Sequence, residues 1–230
     1  MDAGIKLTQV TVKNLHADML PPATRKAFLA FTTFDGLTQF PWYLAGGTAL
    51  ALQAGHRQSV DLDFFAPEKD ISASNIERLL FITDKWTTTF TDAGTLYGEY
   101  MGAKVSFIAY PFFQPLPRRI QCGSVRILFP GDIAAMKIIA ISQRGRKRDF
   151  IDLYWYCSNR EPLIDIIQRA VGQYPGQANN MTHILKSLVY FSDADNDPMP
   201  HLFFEADWKT IKAYFISEVP RVAKKLLQLD

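Results

Sequence analysis

Two aspartates separated by one residue, Asp61 and Asp63, are the first residues here whose spacing suggests chemistry. They lie in VDLDFF, where acid and apolar residues alternate as in a half-buried strand. Side chains alternate faces along a strand, so both carboxylates point one way while Leu62 and Phe64 point into a core. At roughly 6–7 Å between Cα atoms, such a pair can share one or two divalent cations, and hard oxygen ligands suit Mg2+ or Mn2+. Upstream, Gly46 and Gly47 end a short apolar strand predicted over 42–45. Thr48 is a natural N-cap for a helix over 48–54, and Gly55 a good C-cap. Glycine lets backbone approach a ligand closely, and a helix N-terminus presents N–H groups with partial positive charge. Gly46, Gly47 and Thr48 therefore read as a phosphate seat beside a metal-binding pair. Arg57 and Ser59, in the loop between, are candidate phosphate contacts, although Ser59 could equally cap a turn. His56 could be a base or a ligand, but a loop histidine is more often simply solvated. These parts suit in-line attack on a nucleoside triphosphate, without a P-loop, since no GxxxxGK[ST] occurs.

A second group lies in GDIAAMKIIAISQRGRKRDFIDLYWY. Asp132 is a predicted helix cap, and Ile133, Met136, Ile139 and Ala140 form the apolar face of the helix that follows. Lys137 sits at the margin of that face; it could snorkel or reach a triphosphate as a point charge. Arg144, Arg146, Lys147 and Arg148 form the densest basic cluster, and a charge run is usually a solvated face. Asp149 and Asp152, three residues apart, share one side of the next helix. They could supply a further acid, or form with Arg148 an ion-pair and capping network at a helix start.

The elements that must hold these residues follow from patterning. A chain of 230 residues that is 48% hydrophobic and 21% charged can build one large domain or two small ones. A net charge of +2 does not mark a nucleic-acid binder, so any basic footprint must be local. Cys122 and Cys157 are two distant thiols, which make neither a zinc site nor a disulfide framework. No leader pattern or long apolar run appears, and the chain is expected to be cytoplasmic, with no membrane partner. Residues 1–20 read equally as a short helix or an extended arm. A helix is predicted from Pro21-Pro22, another over 71–81 with Ser72 as its cap, and a meander over 86–91, 95–101 and 104–110. One more strand is expected over 124–129. From Pro130 the pattern is helical, giving expected domains at 1–130 and 131–230. Pro220 is expected to break the last helical stretch. The acidic loop SDADNDPMP fails as a calcium loop, because Pro198 stands where a glycine is needed and Phe204 where a glutamate is.

A lone DxD on a strand is common, and GG before a helix is usually a tight turn. Their order, GG, helix, then D-apolar-D-apolar, resembles the nucleotidyltransferase motif of the polymerase-beta-like superfamily. LAGGTALALQAGHRQSVDLDFF closely resembles the AbiEii/AbiGii toxin family, and RDFIDL is similar to that family's later motif. The resemblance implies an α+β fold: a minimal mixed β-sheet core with flanking helices, followed by a C-terminal helical bundle, with NTP and Mg2+ between the lobes. It implies transfer of an NMP from an NTP to an acceptor hydroxyl, on an RNA or tRNA end or on a protein. It also implies a toxin of a bacterial toxin–antitoxin or phage-defence system with a separately encoded antitoxin. In that reading Asp61 and Asp63 bind the metal, and Gly46, Gly47 and Thr48 contact phosphate. Lys137 and Arg148 take the leaving pyrophosphate, and Asp149 or Asp152 assists the acceptor hydroxyl. One departure stands out. The superfamily commonly places a third carboxylate on a following strand, but KVSFIAY has none. Ser106 is near that place, and Glu99 on the preceding strand is a substitute to consider. The alternative is therefore a non-catalytic nucleotide- or RNA-binding member of the same fold.

Overall fold

The computed structural model describes residues 4–69, 73–176 and 180–228, which fall into two compact units, Met1–Phe129 and Pro130–Asp230. The ambiguous N-terminal stretch contains a strand, β1 (Lys6–Val10), followed by two short 3-10 turns. Helix α1 (Pro22–Phe31) has proline at its first position, where a missing N–H costs nothing. Strand β2 (Tyr43–Ala45) runs straight into α2 (Gly46–Ala54), and β3 (Leu62–Ala66) returns. Helix α3 (Ala73–Phe81) comes next; the expected start at Ile71 and cap at Ser72 lie outside the described residues. The meander is β4 (Trp86–Asp92), β5 (Thr95–Tyr100) and β6 (Ala103–Ala109). Strands β7 (Arg118–Cys122) and β8 (Val125–Ile127) close the unit.

All eight join one mixed sheet in the order β1-β7-β8-β2-β3-β6-β5-β4. Strand β3 is central: it pairs antiparallel with β2, placing Asp63 opposite Ala45, and parallel with β6, placing Asp63 opposite Ser106. Its alternation is realised as expected. Leu62, Phe64 and Ala66 are buried, while Asp63 and Phe65 are partly exposed. On the buried face Phe64 stacks on Phe107 at 4.9 Å, and Phe31 of α1 meets Phe64 edge-on at 5.3 Å. Fully burying such a ring stabilises the fold by about 2–3 kcal/mol, so this aromatic cluster fixes the register that holds Asp63 on the opposite face.

Strand β7 is a correction, since sequence reading gives only one strand in this region. Two consecutive arginines hide it. Arg119 is buried because its guanidinium lies 4.8 Å from the centre of the Tyr43 ring and donates to the carbonyls of Leu116 and Arg118, both at 2.6 Å.

The second unit is helical: α4 (Pro130–Arg144), α5 (Lys147–Asn159), α6 (Leu163–Gln173), α7 (Met181–Ser187), the single turn α8 (Ser192–Asp195) and α9 (Trp208–Leu227). Phe150 is the hub of its core, with Phe191 at 5.2 Å, Phe215 at 5.4 Å and Trp208 at 5.8 Å between ring centres. Asp132 does not cap α4. It is fully buried in the first turn and accepts a hydrogen bond from the Gln173 amide at 2.9 Å. Pro220 does not break α9 either. The carbonyl that proline leaves without an intrahelical donor belongs to exposed Ile216, where water can satisfy it. Among the described residues, no helix is long and apolar enough to cross a membrane.

Candidate functional site

The strand-to-helix turn at Ala45–Gly46 builds the first part of the site. Gly46 has φ +68°, which favours glycine, and this lets the chain leave β2 and enter α2 without a spacer. A Cβ on Gly46 would stand 3.3 Å from Asp63 Oδ2, so the missing side chain leaves room beside that carboxylate. The helix begins two residues earlier than expected, with Ala45 as its N-cap and no side chain capping it. Thr48 is consequently inside the first turn. Its hydroxyl donates to the Asp61 carbonyl and lies 2.8 Å from the Ser59 hydroxyl. Thr48 therefore ties the loop before β3 to α2, and Ser59 shares in that tie instead of standing open to solvent. The threonine side chain is thus held in that tie and does not cap the helix.

Asp61 lies just before β3 and is partly exposed, as Asp63 is. Ser106 donates to Asp63 Oδ1 at 2.6 Å from the position where the sequence comparison sought an acid. Glu99 does not substitute: it is exposed, opposite Lys104, two strands across and two residues along from Asp63, about 12 Å away by strand spacing and rise. His56 and Arg57 are not solvated. They are 1% and 3% exposed, because the loop is pulled inward by the Ser59 N–H bond to Met19 and the Thr24 hydroxyl bond to the Val60 carbonyl. The Arg57 guanidinium donates to the Gln58 carbonyl at 2.9 Å.

In the helical unit, Lys137 neither snorkels nor lies open to solvent. Its ammonium is 2.6 Å from Asp149 Oδ1 and 2.8 Å from Asp152 Oδ2, and both carboxylates are fully buried. The i, i+3 spacing on α5 brings the two acids to one lysine of α4. Arg144 Nε stands 3.6 Å from Asp149 Oδ2. Arg148 is exposed, whereas its neighbour Lys147 is buried, donating to the carbonyls of Asp195 and Asp197 with its Nζ 5.3 Å from the centre of the Trp208 ring. Asp197 accepts the Lys147 backbone N–H at 3.0 Å and pairs with Arg146 at 3.0 Å, so the acidic loop caps α5. Sequence reasoning missed Asp197, since no local pattern links it to a helix start so far away, and it gave Ser106 no partner.

Two partly exposed carboxylates, one accepting a hydrogen bond from a serine, are hard oxygen donors of the type that suits Mg2+ or Mn2+. Mg2+ commonly takes one or two carboxylates and fills its shell with water and substrate phosphate oxygens. Among the described residues, no group of three or more His, Cys, Asp or Glu side chains is placed to hold a metal ion.

A family model described as nucleotidyl transferase AbiEii toxin, type IV TA system, matches residues 40–121 and 111–228. An uncharacterised protein of Aquifex aeolicus (strain VF5) is 34% identical over 189 residues, covering 77% of this chain and 86% of its own length. A proposed nucleotidyltransferase of H. pylori superposes with TM-score 0.50 at 15% identity, covering 90% of this chain and 96% of that one, which shows a shared fold. MenT4, a nucleotidyltransferase toxin of Mycobacterium tuberculosis, aligns with TM-score 0.47 at 17% identity over 90% of each chain. The chain belongs to the AbiEii family of nucleotidyltransferase toxins.

Proposed function

We propose that the chain transfers an NMP from an NTP to an acceptor hydroxyl, on an RNA or tRNA end or on a protein, and acts as the toxin of a bacterial toxin–antitoxin or phage-defence system. The observation that carries this reading is the juxtaposition of Gly46, at the start of α2, with the Asp63 carboxylate. Asp61 and Asp63 would hold Mg2+ or Mn2+. A cation bound there would neutralise the triphosphate and make the α-phosphorus a better electrophile. The backbone N–H groups of Gly46, Gly47 and Thr48 would receive phosphate oxygens at the helix N-terminus. Ser106 keeps the Asp63 carboxylate turned to one rotamer. Thr48 anchors the backbone at Asp61, which fixes where that acid leaves the chain. Lys137, Arg148, Asp149 and Asp152 are proposed participants; Arg57 and Ser59 would act by shaping the loop.

Ser106 in place of a third acid favours a second reading, a non-catalytic nucleotide-binding member. One assay separates the two. Purified protein is incubated with Mg2+, each α-32P-labelled NTP in turn and total bacterial RNA, beside an Asp61→Ala/Asp63→Ala control. Label on RNA or on protein, absent in the control, establishes transfer and names the nucleotide. Absence of label with every NTP, despite cation-dependent nucleotide binding, favours the second reading.

A further inference from the structure

The face of the sheet that carries Asp63 also carries an aromatic pair that is about half exposed among the described residues. Across neighbouring strands the pairings run Asp63 to Ser106, Ser106 to Tyr97 and Tyr97 to Phe90. Directly paired residues share a face, so these four form one row. Tyr97 is 41% exposed and Phe90 49% exposed, with ring centres 5.6 Å apart and planes tilted by 31°. The row is not an accident of alternation. The register of β4 against β5 shifts between Thr88 and Phe90. Without that extra residue, Thr89 would oppose Tyr97, and Phe90 would turn toward the buried face where Leu96 lies. Bulges re-aim side chains in this way, often beside functional sites. Here the bulge places an aromatic on the face that carries Asp63, where it is about half exposed.

We propose that Phe90 and Tyr97 form a stacking platform for unpaired bases of a single-stranded nucleic acid acceptor, which would lead its terminal hydroxyl toward Asp63. This rests on the transferase reading above and adds the acceptor's chemistry to it. Tyr97 is about 10 Å and Phe90 about 14 Å from Asp63 by strand spacing, the reach of the last few nucleotides of a strand. Two adjacent rings suit successive bases, whereas an NTP brings only one. Exposed aromatics on neighbouring strands are a general means of holding unpaired bases, since every base has a stacking face. The charges on the strands around the pair, Asp92 and Glu99 against Lys104, do not make a phosphate track there, so stacking would carry the affinity.

The test measures binding and requires no transfer. A ten-nucleotide single-stranded RNA of mixed sequence, with 2-aminopurine near its 3′ end, is titrated with the parent protein, Phe90→Leu/Tyr97→Leu and Phe90→Tyr/Tyr97→Phe. Binding by the parent should quench the fluorophore and should weaken by about tenfold or less between 50 and 200 mM salt, as expected for few phosphate contacts. The leucine variant should lose roughly tenfold or more in affinity, while the exchanged aromatic variant keeps parental affinity. Both positions are exposed, and equal thermal midpoints would confirm that folding is unaffected. No binding by the parent, or equal binding by the leucine variant, overturns the proposal. So does a leucine variant that loses NTP affinity but not RNA affinity, or a parent that is a dimer through this pair. If the parent binds and quenches as stated but transfers no label from any NTP, the transferase reading fails while the platform stands.

Discussion

At the scale of single residues, the site depends on what is absent from Gly46 as much as on what Asp63 presents. Gly46→Ala puts a Cβ into a left-handed backbone and against Asp63 Oδ2. The variant should lose about 1–2 kcal/mol of stability, measured by urea unfolding, and transfer activity should fall further than stability alone explains, because the carboxylate is displaced. An unchanged rate would remove Gly46 from the site. Cys157 supports a prediction of a different kind. Burial, foremost, holds its thiol up at about 12, against 9.0 for an ordinary thiol. At pH 8 about one molecule in ten thousand would carry the thiolate, so iodoacetamide should modify Cys157 far more slowly in the native protein than in urea. The sign of the stability effect follows. Below about pH 9 the thiol is protonated in both states and contributes no pH dependence. Between 9 and 12 the unfolded chain ionises while the folded chain does not, so this group lowers stability as pH rises. Asp61 and Asp63 are legible in the sequence because alternation and spacing are local properties. The buried state of His56 and Arg57 is not, because it depends on hydrogen bonds to Met19 and from Thr24 that no loop pattern announces.

At the scale of elements, a buried ionic tie joins α4 and α5. Lys137 supplies the ammonium that two fully buried carboxylates share. Removing one partner of a buried pair leaves charge without compensation, so Lys137→Met should cost about 3–5 kcal/mol, read as a drop in the urea midpoint. Lys137→Met/Asp149→Asn/Asp152→Asn removes the stranded charges and should regain most of that stability. Its activity then separates two roles: a folded triple variant with no transfer places the cluster in the chemistry, and one with parental transfer confines it to packing. The elements the sequence conceals have something in common. Strand β7 is written with two arginines, and its buried member is accommodated by the Tyr43 ring and two carbonyls. The start of α5 is capped by Asp197 from a distant loop. The start of α2 needs no capping side chain once Gly46 turns the backbone. In each case a long-range contact or an unusual φ replaces the local signal that propensity reads.

At the scale of the whole molecule, the α+β class is legible because each pattern is long enough to be read more than once. Alternating acid and apolar residues mark β3, turn residues punctuate the meander, and helical spacing persists from Pro130 to the end of α9. The order of strands is not legible, since β1 joins the sheet beside β7, its partner from the far end of the unit, through a parallel register that leaves four of its five residues exposed. Family membership gives the whole chain an expected effect on a cell, and that effect tests the toxin reading independently of any purified reaction. Induced expression in a bacterium lacking a cognate antitoxin should arrest growth. The Asp61→Ala/Asp63→Ala variant, at equal abundance by immunoblot, should restore growth to the empty-vector rate, because the proposed cation site would lose both carboxylates while the core residues Leu62 and Phe64 are unchanged. Arrest by both forms would separate toxicity from nucleotidyl transfer, and arrest by neither would leave this chain a member of the family without the family's toxicity in that host.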